Sequence, residues 1–231
     1  MWDENNVRVA DIQKIEKVIR KMKTYSVIRL GGMTDCFQPL EAKQKVALET
    51  IKILNEYRIQ YLIVTKSSMI AADEYIRTMD KDLAHIQVSV TCLDDMKYKK
   101  IESACPPSKR IKAIMDLQSE GYDAAIRLSP LMEEYMDFEK LNTLNINKCI
   151  IEFLRINAWI KKWLPEVNCE KYTLKQNNYY HLPLTEKIKL INRIRIANKT
   201  VCEDVTEHYA YWKDNVNPNK LDCCNLENKF E

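Results

Sequence analysis

Glycine is scarce in this chain, with 3 in 231 residues. An average chain uses it at about 7%, so a chain this poor keeps glycine where the backbone demands it. Two of the three, Gly31 and Gly32, are adjacent and follow the apolar end of a β-rich run. Paired glycines there permit positive φ or the close approach of a ligand to bare backbone. Long apolar runs are also missing: none approaches the about 18 residues that cross a bilayer. Strong charge is absent too. The net charge of +3 and mean hydropathy of −0.41 give no nucleic-acid footprint by themselves. The first residues, Met1-Trp2-Asp3-Glu4-Asn5-Asn6, lack the apolar core of a secretory signal. Eight cysteines in that setting point to a reducing cytoplasm, with free thiols or metal ligands in place of disulfides.

What is present suits one large domain, or one domain with an appendage: 46% hydrophobic and 30% charged residues can bury a real core. Short β-rich runs recur at 25–30, 61–65, 86–91, 123–128 and 148–153. Helical patterns lie between them at 40–57, 71–79, 108–120 and 137–144, with apolar residues at i, i+3 and i+4 spacing around Val46, Leu48, Ile51, Ile53 and Leu54. Alternation of this kind predicts βαβ units, a parallel sheet and right-handed crossovers. One helical stretch, 9–23, has no strand before it. Lys187, Lys189, Arg193 and Arg195 fall on a helical pattern and read as a solvated face.

Ligands of parallel α/β folds sit at the C-terminal ends of the strands. Polar residues gather at those ends here. They are Gly31, Gly32, Thr34 and Asp35 after the first run; Thr65, Lys66, Ser67 and Ser68 after the second; Ser89 and Thr91 at the third; Arg127 and Ser129 at the fourth; Arg155 and Asn157 after the fifth. Any one loop has a plainer reading, as side chains that cap the next helix. Five strand ends supplying polar groups to one rim predict a binding site there.

Four stretches in order carry a resemblance over residues 25–155. They are Thr34-Asp35-Cys36-Phe37-Gln38-Pro39-Leu40-Glu41; Leu62-Ile63-Val64-Thr65-Lys66-Ser67; Gln87-Val88-Ser89-Val90-Thr91 with Asp94, Asp95, Glu102, Pro106 and Arg110 behind it; and Ile126-Arg127-Leu128-Ser129-Pro130. Together they resemble the radical SAM superfamily, in the branch related to spore photoproduct lyase. The resemblance implies a partial (β/α)6 barrel of the α/β class, lacking its first strand. It further implies an enzyme that cleaves S-adenosylmethionine reductively at a [4Fe-4S] cluster, giving a 5′-deoxyadenosyl radical with an external electron donor. A nucleobase is the implied substrate class. By position, Gly31, Gly32, Thr34, Asp35, Lys66, Ser89 and Arg127 become the cofactor-binding set. Where the superfamily often has an acidic residue, this chain has Met33, so Asp35 is the candidate charge partner of the methionyl amino group.

The chain departs from that pattern in one respect. Cys36, Cys92, Cys105, Cys149, Cys169, Cys202, Cys223 and Cys224 contain no CxxxCxxC spacing, and three thiolates on one loop are the superfamily's cluster mount. The absent motif and the absent strand belong to the same place, before residue 9. Three expectations follow: a chain that begins inside a longer enzyme, a cluster carried on another polypeptide, or a non-catalytic relative kept as a binding or accessory protein.

Residues 1–156 are expected to form the barrel and 157–231 an aromatic-rich helical extension packed on it, with a helix near 185–198. In the extension Cys202, Cys223 and Cys224, with His208 nearby, are candidate ligands for an auxiliary cluster or zinc, since both need thiolates gathered by a fold. Free thiols are the plainer reading. Cys36, beside the rim, is a candidate hydrogen-atom donor; Cys149, His85 and His181 read as packing residues.

Overall fold

The computed structural model describes residues 9–24, 26–32, 34–220 and 222–226. Tyr25 and Met33 therefore lie outside the described residues, as do the first eight and the last five. Five strands come first: β1 (Val27–Leu30), β2 (Gln60–Thr65), β3 (Ala84–Ser89), β4 (Asp123–Leu131) and β5 (Lys148–Phe153). A small antiparallel hairpin follows, β6 (Leu174–Gln176) and β7 (Tyr179–His181), turned by Asn177 and Asn178 at φ 48° and 63°. Asparagine tolerates the left-handed backbone that such two-residue turns require. Then β8 (Asn198–Val201) joins β5, giving a six-stranded sheet in the order β1-β2-β3-β4-β5-β8 with every neighbouring pair parallel.

The helices are α1 (Ile12–Ile19), α2 (Glu41–Gln44), α3 (Val46–Glu56), α4 (Asp73–Thr78), α5 (Pro107–Ser119), α6 (Phe138–Thr143), α7 (Ala158–Trp163), α8 (Leu184–Asn192) and α9 (Thr206–Asn215). Among the described residues α1 has no strand before it, and none of these helices is long and apolar enough to cross a membrane. The expected helix over 40–57 is two helices. Lys45, at φ 54°, breaks it, because the buried Glu41 carboxylate accepts from the amides of Ala47 and Leu48, both at 3.0 Å. A side chain inside α2 thus caps α3.

Strand alternation sorts the sheet into two faces. Ile86 and Val88 of β3, Ala124, Ile126 and Leu128 of β4, and Cys149 and Ile151 of β5 are all buried in the core that also takes Ile51, Leu54, Ile114 and Leu117 from the helices. Burying each large aliphatic side chain contributes about 1.5–3 kcal/mol. Most of the alternate positions are polar, with Ala125 and Ile150 as apolar exceptions. His85, Gln87 and Ser89 on β3 lie in register with Asp123, Ala125 and Arg127 on β4, and β5 adds Lys148 and Glu152. At the N-terminal end, Lys148 Nζ donates to Asp123 Oδ1 (2.5 Å) and His85 Nδ1 bonds Asp123 Oδ2 (2.6 Å), all three side chains being buried. This ion-paired floor confirms His85 as structural.

The division expected at residue 156 does not coincide with an edge of the sheet. Residues beyond it supply β8, and Trp212, Leu182, Leu190 and Ile191 share the one core with the strands. Trp212 stacks on Phe153 of β5 at 6.2 Å. The solvated face expected for α8 needs correction at Lys187, which is fully buried. Its ammonium pairs with Glu203 and donates to His208 Nδ1 at 3.1 Å.

Candidate functional site

All seven residues of the expected cofactor set line one cavity of about 380 Å³ at the C-terminal ends of β1 to β5. Gly31, Gly32, Thr34, Asp35, Lys66, Ser89 and Arg127 meet there, with Arg29, Val64, Thr65, Ser129 and Glu152 completing the wall. That volume lies within the range of small-molecule sites. A larger apolar groove, about 600 Å³, runs between α1 and α3, but it lacks this convergence of charged groups.

The two glycines differ. Gly31 has φ +84°, and a Cβ there would meet the Val64 carbonyl oxygen of β2 at 2.2 Å. Strand packing therefore explains it. A Cβ on Gly32 would meet nothing within 4 Å, so bare backbone at Gly32 borders open space in the cavity wall. Arg29 Nε donates to the Gly31 carbonyl at 3.1 Å and steadies the turn.

Asp35 is committed to the loop. Its carboxylate accepts from the Phe37 amide (2.9 Å), the Thr65 hydroxyl (2.8 and 3.0 Å) and the Lys66 amide (2.7 Å). It therefore joins the first rim loop to the end of β2. Lys66 pairs with Glu102, which also takes Arg110 Nη1 at 2.6 Å. Burial opposes ionisation of Glu102, but the two cations outweigh it and hold the carboxyl below its usual range.

Arg127 is firmly placed in the cavity wall. Nη1 donates to Gln87 Oε1 (2.6 Å) and Nη2 to Glu152 Oε2 (2.7 Å), while the Ser129 hydroxyl donates to the same Glu152 oxygen (2.8 Å). The register shift between Leu128 and Leu131 falls at Ser129. Burial works against the charged Glu152, and Arg127 with Ser129 more than compensates, so the carboxyl sits below its ordinary range. Sequence reasoning missed Glu152, Gln87 and Arg29. The available signal was a charged or amide side chain alternating with apolar ones inside a parallel strand, where both faces are ordinarily apolar.

The structure brings Cys202 Sγ to 3.4 Å from Cys223 Sγ, and it gathers Cys223 and Cys224 with Asp222 into one group that leaves Cys202 at its edge. His208 is held in the Lys187–Glu203 pair. Cys36 lines the apolar groove and not the rim cavity. Burial above all pushes its thiol up to about 12 and so keeps it protonated; its place outside the rim cavity is what argues against the hydrogen-donor expectation.

A cavity bordered by bare glycine backbone, two serines and three cations fits S-adenosylmethionine, with its amino, carboxylate and ribose groups. A [4Fe-4S] cluster mounted as in the radical SAM superfamily does not fit the chain's own residues, because the sequence has no CxxxCxxC.

No family model and no curated protein matches the sequence. Solved structures do match. Spore photoproduct lyase with bound AdoMet and dinucleoside spore photoproduct is 12% identical, with a TM-score of 0.58 over 82% of this chain and 64% of that one. A second lyase complex with dinucleoside spore photoproduct gives 13% and 0.56 over the same shares. SuiB of Streptococcus suis is 13% identical, with a TM-score of 0.58 over 94% of this chain and 49% of that one. The chain thus spans less than two thirds of the length of these proteins. Its fold is the partial (β/α) barrel of the radical SAM enzymes, in an open six-stranded form.

Proposed function

We propose that the rim cavity binds S-adenosylmethionine, and that the chain is the cofactor- and substrate-binding part of a radical SAM enzyme. The observation that carries this reading is the convergence of all seven expected residues on one cavity. Arg127 is the carboxylate partner. Two of its five N–H donors are spent on Gln87 and Glu152, and others remain for a ligand. Gly31 and Gly32 offer backbone carbonyls to the amino group. Ser89, Thr34 and Lys66 take the ribose side, and Asp35 positions the loop. Reductive cleavage of the cofactor is the chemistry a [4Fe-4S] cluster and an electron donor supply in that superfamily, and the thiolates for such a cluster come from outside these residues.

A nucleobase is the proposed substrate class. The lyase complex holds a dinucleoside, and here the rim cavity shares Ser129 and Glu152 with a second hollow of about 420 Å³. Trp159 and Trp163 line that hollow with their rings 6.4 Å apart, 64% and 65% exposed. The guanidinium of Arg155 lies 5.4 Å over Tyr179. Aromatic faces beside a cation suit stacking of a planar base.

Calorimetric titration of the chain with S-adenosylmethionine tests the reading. Saturable binding is expected, weakened about tenfold or more in Arg127→Met by the loss of a charge-assisted hydrogen bond. Gly32→Ala, whose Cβ meets nothing within 4 Å, should weaken binding with the fold intact. Absence of saturable binding, or affinity unchanged in both variants, would overturn it. The missing cluster loop favours a second reading, a barrel kept as a binding or accessory protein. That reading falls if the chain, given iron, sulfide and reductant anaerobically, makes 5′-deoxyadenosine.

A further inference from the structure

The tail returns to the barrel at residues 222–226. Gln87 Nε2 of β3 donates to the Cys224 carbonyl at 2.9 Å, and Asn225 Nδ2 donates to Asn198 Oδ1 of β8 at 2.7 Å. Asp222 closes the turn, accepting the Cys224 amide on Oδ1 (2.8 Å) and the Leu226 amide on Oδ2 (2.7 Å). These anchors bring Cys223 to Cys202, the residue just past β8, with the two sulfurs 3.4 Å apart. Donor atoms of Asp222, Cys223 and Cys224 lie within 4.8 Å of one another.

We propose that Cys223, Cys224 and Asp222, whose donor atoms are already gathered, bind one zinc ion with Cys202, which touches Cys223, moving in as the fourth ligand, and that the ion clasps the tail to the rim beside the cavity. This goes beyond the reading of the cavity and does not depend on it. A tetrahedral zinc with bonds of about 2.3 Å to sulfur sets its thiolates about 3.8 Å apart. The 3.4 Å separation needs only a small opening to reach that. A [4Fe-4S] cube places each thiolate on a different iron and so requires a much wider spread than these sulfurs show.

Donor chemistry agrees. Thiolates with one carboxylate suit a borderline-soft, tetrahedral ion. Each Asp222 oxygen accepts one amide and retains a lone pair for a metal. With three thiolates and one carboxylate around a divalent ion, the loaded site is net anionic.

The test uses the full chain, stripped with chelator under reducing, anaerobic conditions and titrated with Co2+ as a spectroscopic stand-in for zinc. Thiolate-to-cobalt charge-transfer absorption and intense tetrahedral d–d bands are expected, saturating at about one equivalent and erased by Zn2+. Cys202→Ser and Cys223→Ser should each weaken metal binding by more than the about 100-fold that losing a supporting residue costs. Cys169→Ser, outside the cluster, should leave the spectrum as it is. Circular dichroism separates a lost site from a lost fold. Asp222→Asn provides a second, milder variant, expected to keep the sulfur band while changing the d–d envelope. The inference fails if no thiolate band saturates, if the band survives Cys202→Ser, or if iron and sulfide load these cysteines as a cluster in preference to zinc.

Discussion

Gly31 and Gly32 are glycines for different reasons, and substitution should separate them. Gly31→Ala places a Cβ against the Val64 carbonyl at a backbone angle L-residues avoid. The left-handed backbone alone costs about 1–2 kcal/mol, and the contact adds to it, so urea unfolding should shift clearly. Gly32→Ala meets nothing; its unfolding midpoint should stay near that of the parent while ligand affinity drops. Equal stability loss in both would contradict the assignment. At this scale the sequence was informative where a residue stood out from its surroundings: adjacent glycines in a glycine-poor chain, an arginine at a strand end. Asp35 was visible as a polar residue of the rim, but its bonds to Thr65 and Lys66 depend on β2 lying alongside. Glu152 was hidden because it is the one acidic residue in the otherwise apolar run Cys149-Ile150-Ile151-Glu152-Phe153.

At the scale of elements, period and β-branched content placed β2 to β5 within a few residues, since strands buried on both sides leave a strong pattern. β8 left none. Asn198-Lys199-Thr200-Val201 is short, half polar and bonded to β5 alone in the sheet, and only that pairing makes it a strand. The break at Lys45 was equally invisible, because the cap on α3 is the side chain of a residue that itself lies in a helix. Glu41 also accepts the Tyr75 hydroxyl at 2.8 Å, so one carboxylate ties α2, α3 and α4. Glu41→Ala should therefore cost about 2 kcal/mol or more, leaving two amides and a buried hydroxyl without their acceptor. Tyr75→Phe should cost less, since it leaves the capping bonds in place. Unfolding curves of both variants decide this; a larger loss in Tyr75→Phe would show that the cap is not the main role of Glu41.

Across the whole molecule, the concave face is organised in levels: an ion-paired floor, Gln87 above it, and the charged rim. Burial opposes ionisation of Asp123, but His85 and Lys148 more than offset it and keep its carboxyl below the ordinary range, as happens for Glu102 and Glu152 above. A carboxyl whose folded pKa is depressed contributes stability that is complete above its unfolded value, about 4, and is lost as pH falls through that value toward the folded one. Resistance to urea should therefore hold from about pH 7 to about pH 5 and decline below. Asp123→Asn strands the Lys148 charge in the floor; it should lower stability at neutral pH by about 3 kcal/mol or more and flatten the acid decline. An acid profile as steep as the parent's would remove Asp123 from that account. The existence of this face was half legible: His85-Ile86-Gln87-Val88-Ser89 alternates visibly, but only the register of neighbouring strands shows which polar residues meet.

The bond from Gln87 to the Cys224 carbonyl joins positions 137 apart in sequence. Closures of that span come late and slowly as a chain folds, whereas β2 to β5 can assemble from near neighbours. The barrel is thus able to form before its binding rim is finished. In the mature protein the same order run backwards makes release of the tail a smaller opening than unfolding. Gln87, and through it Arg127, would then lose a support while the sheet stayed whole.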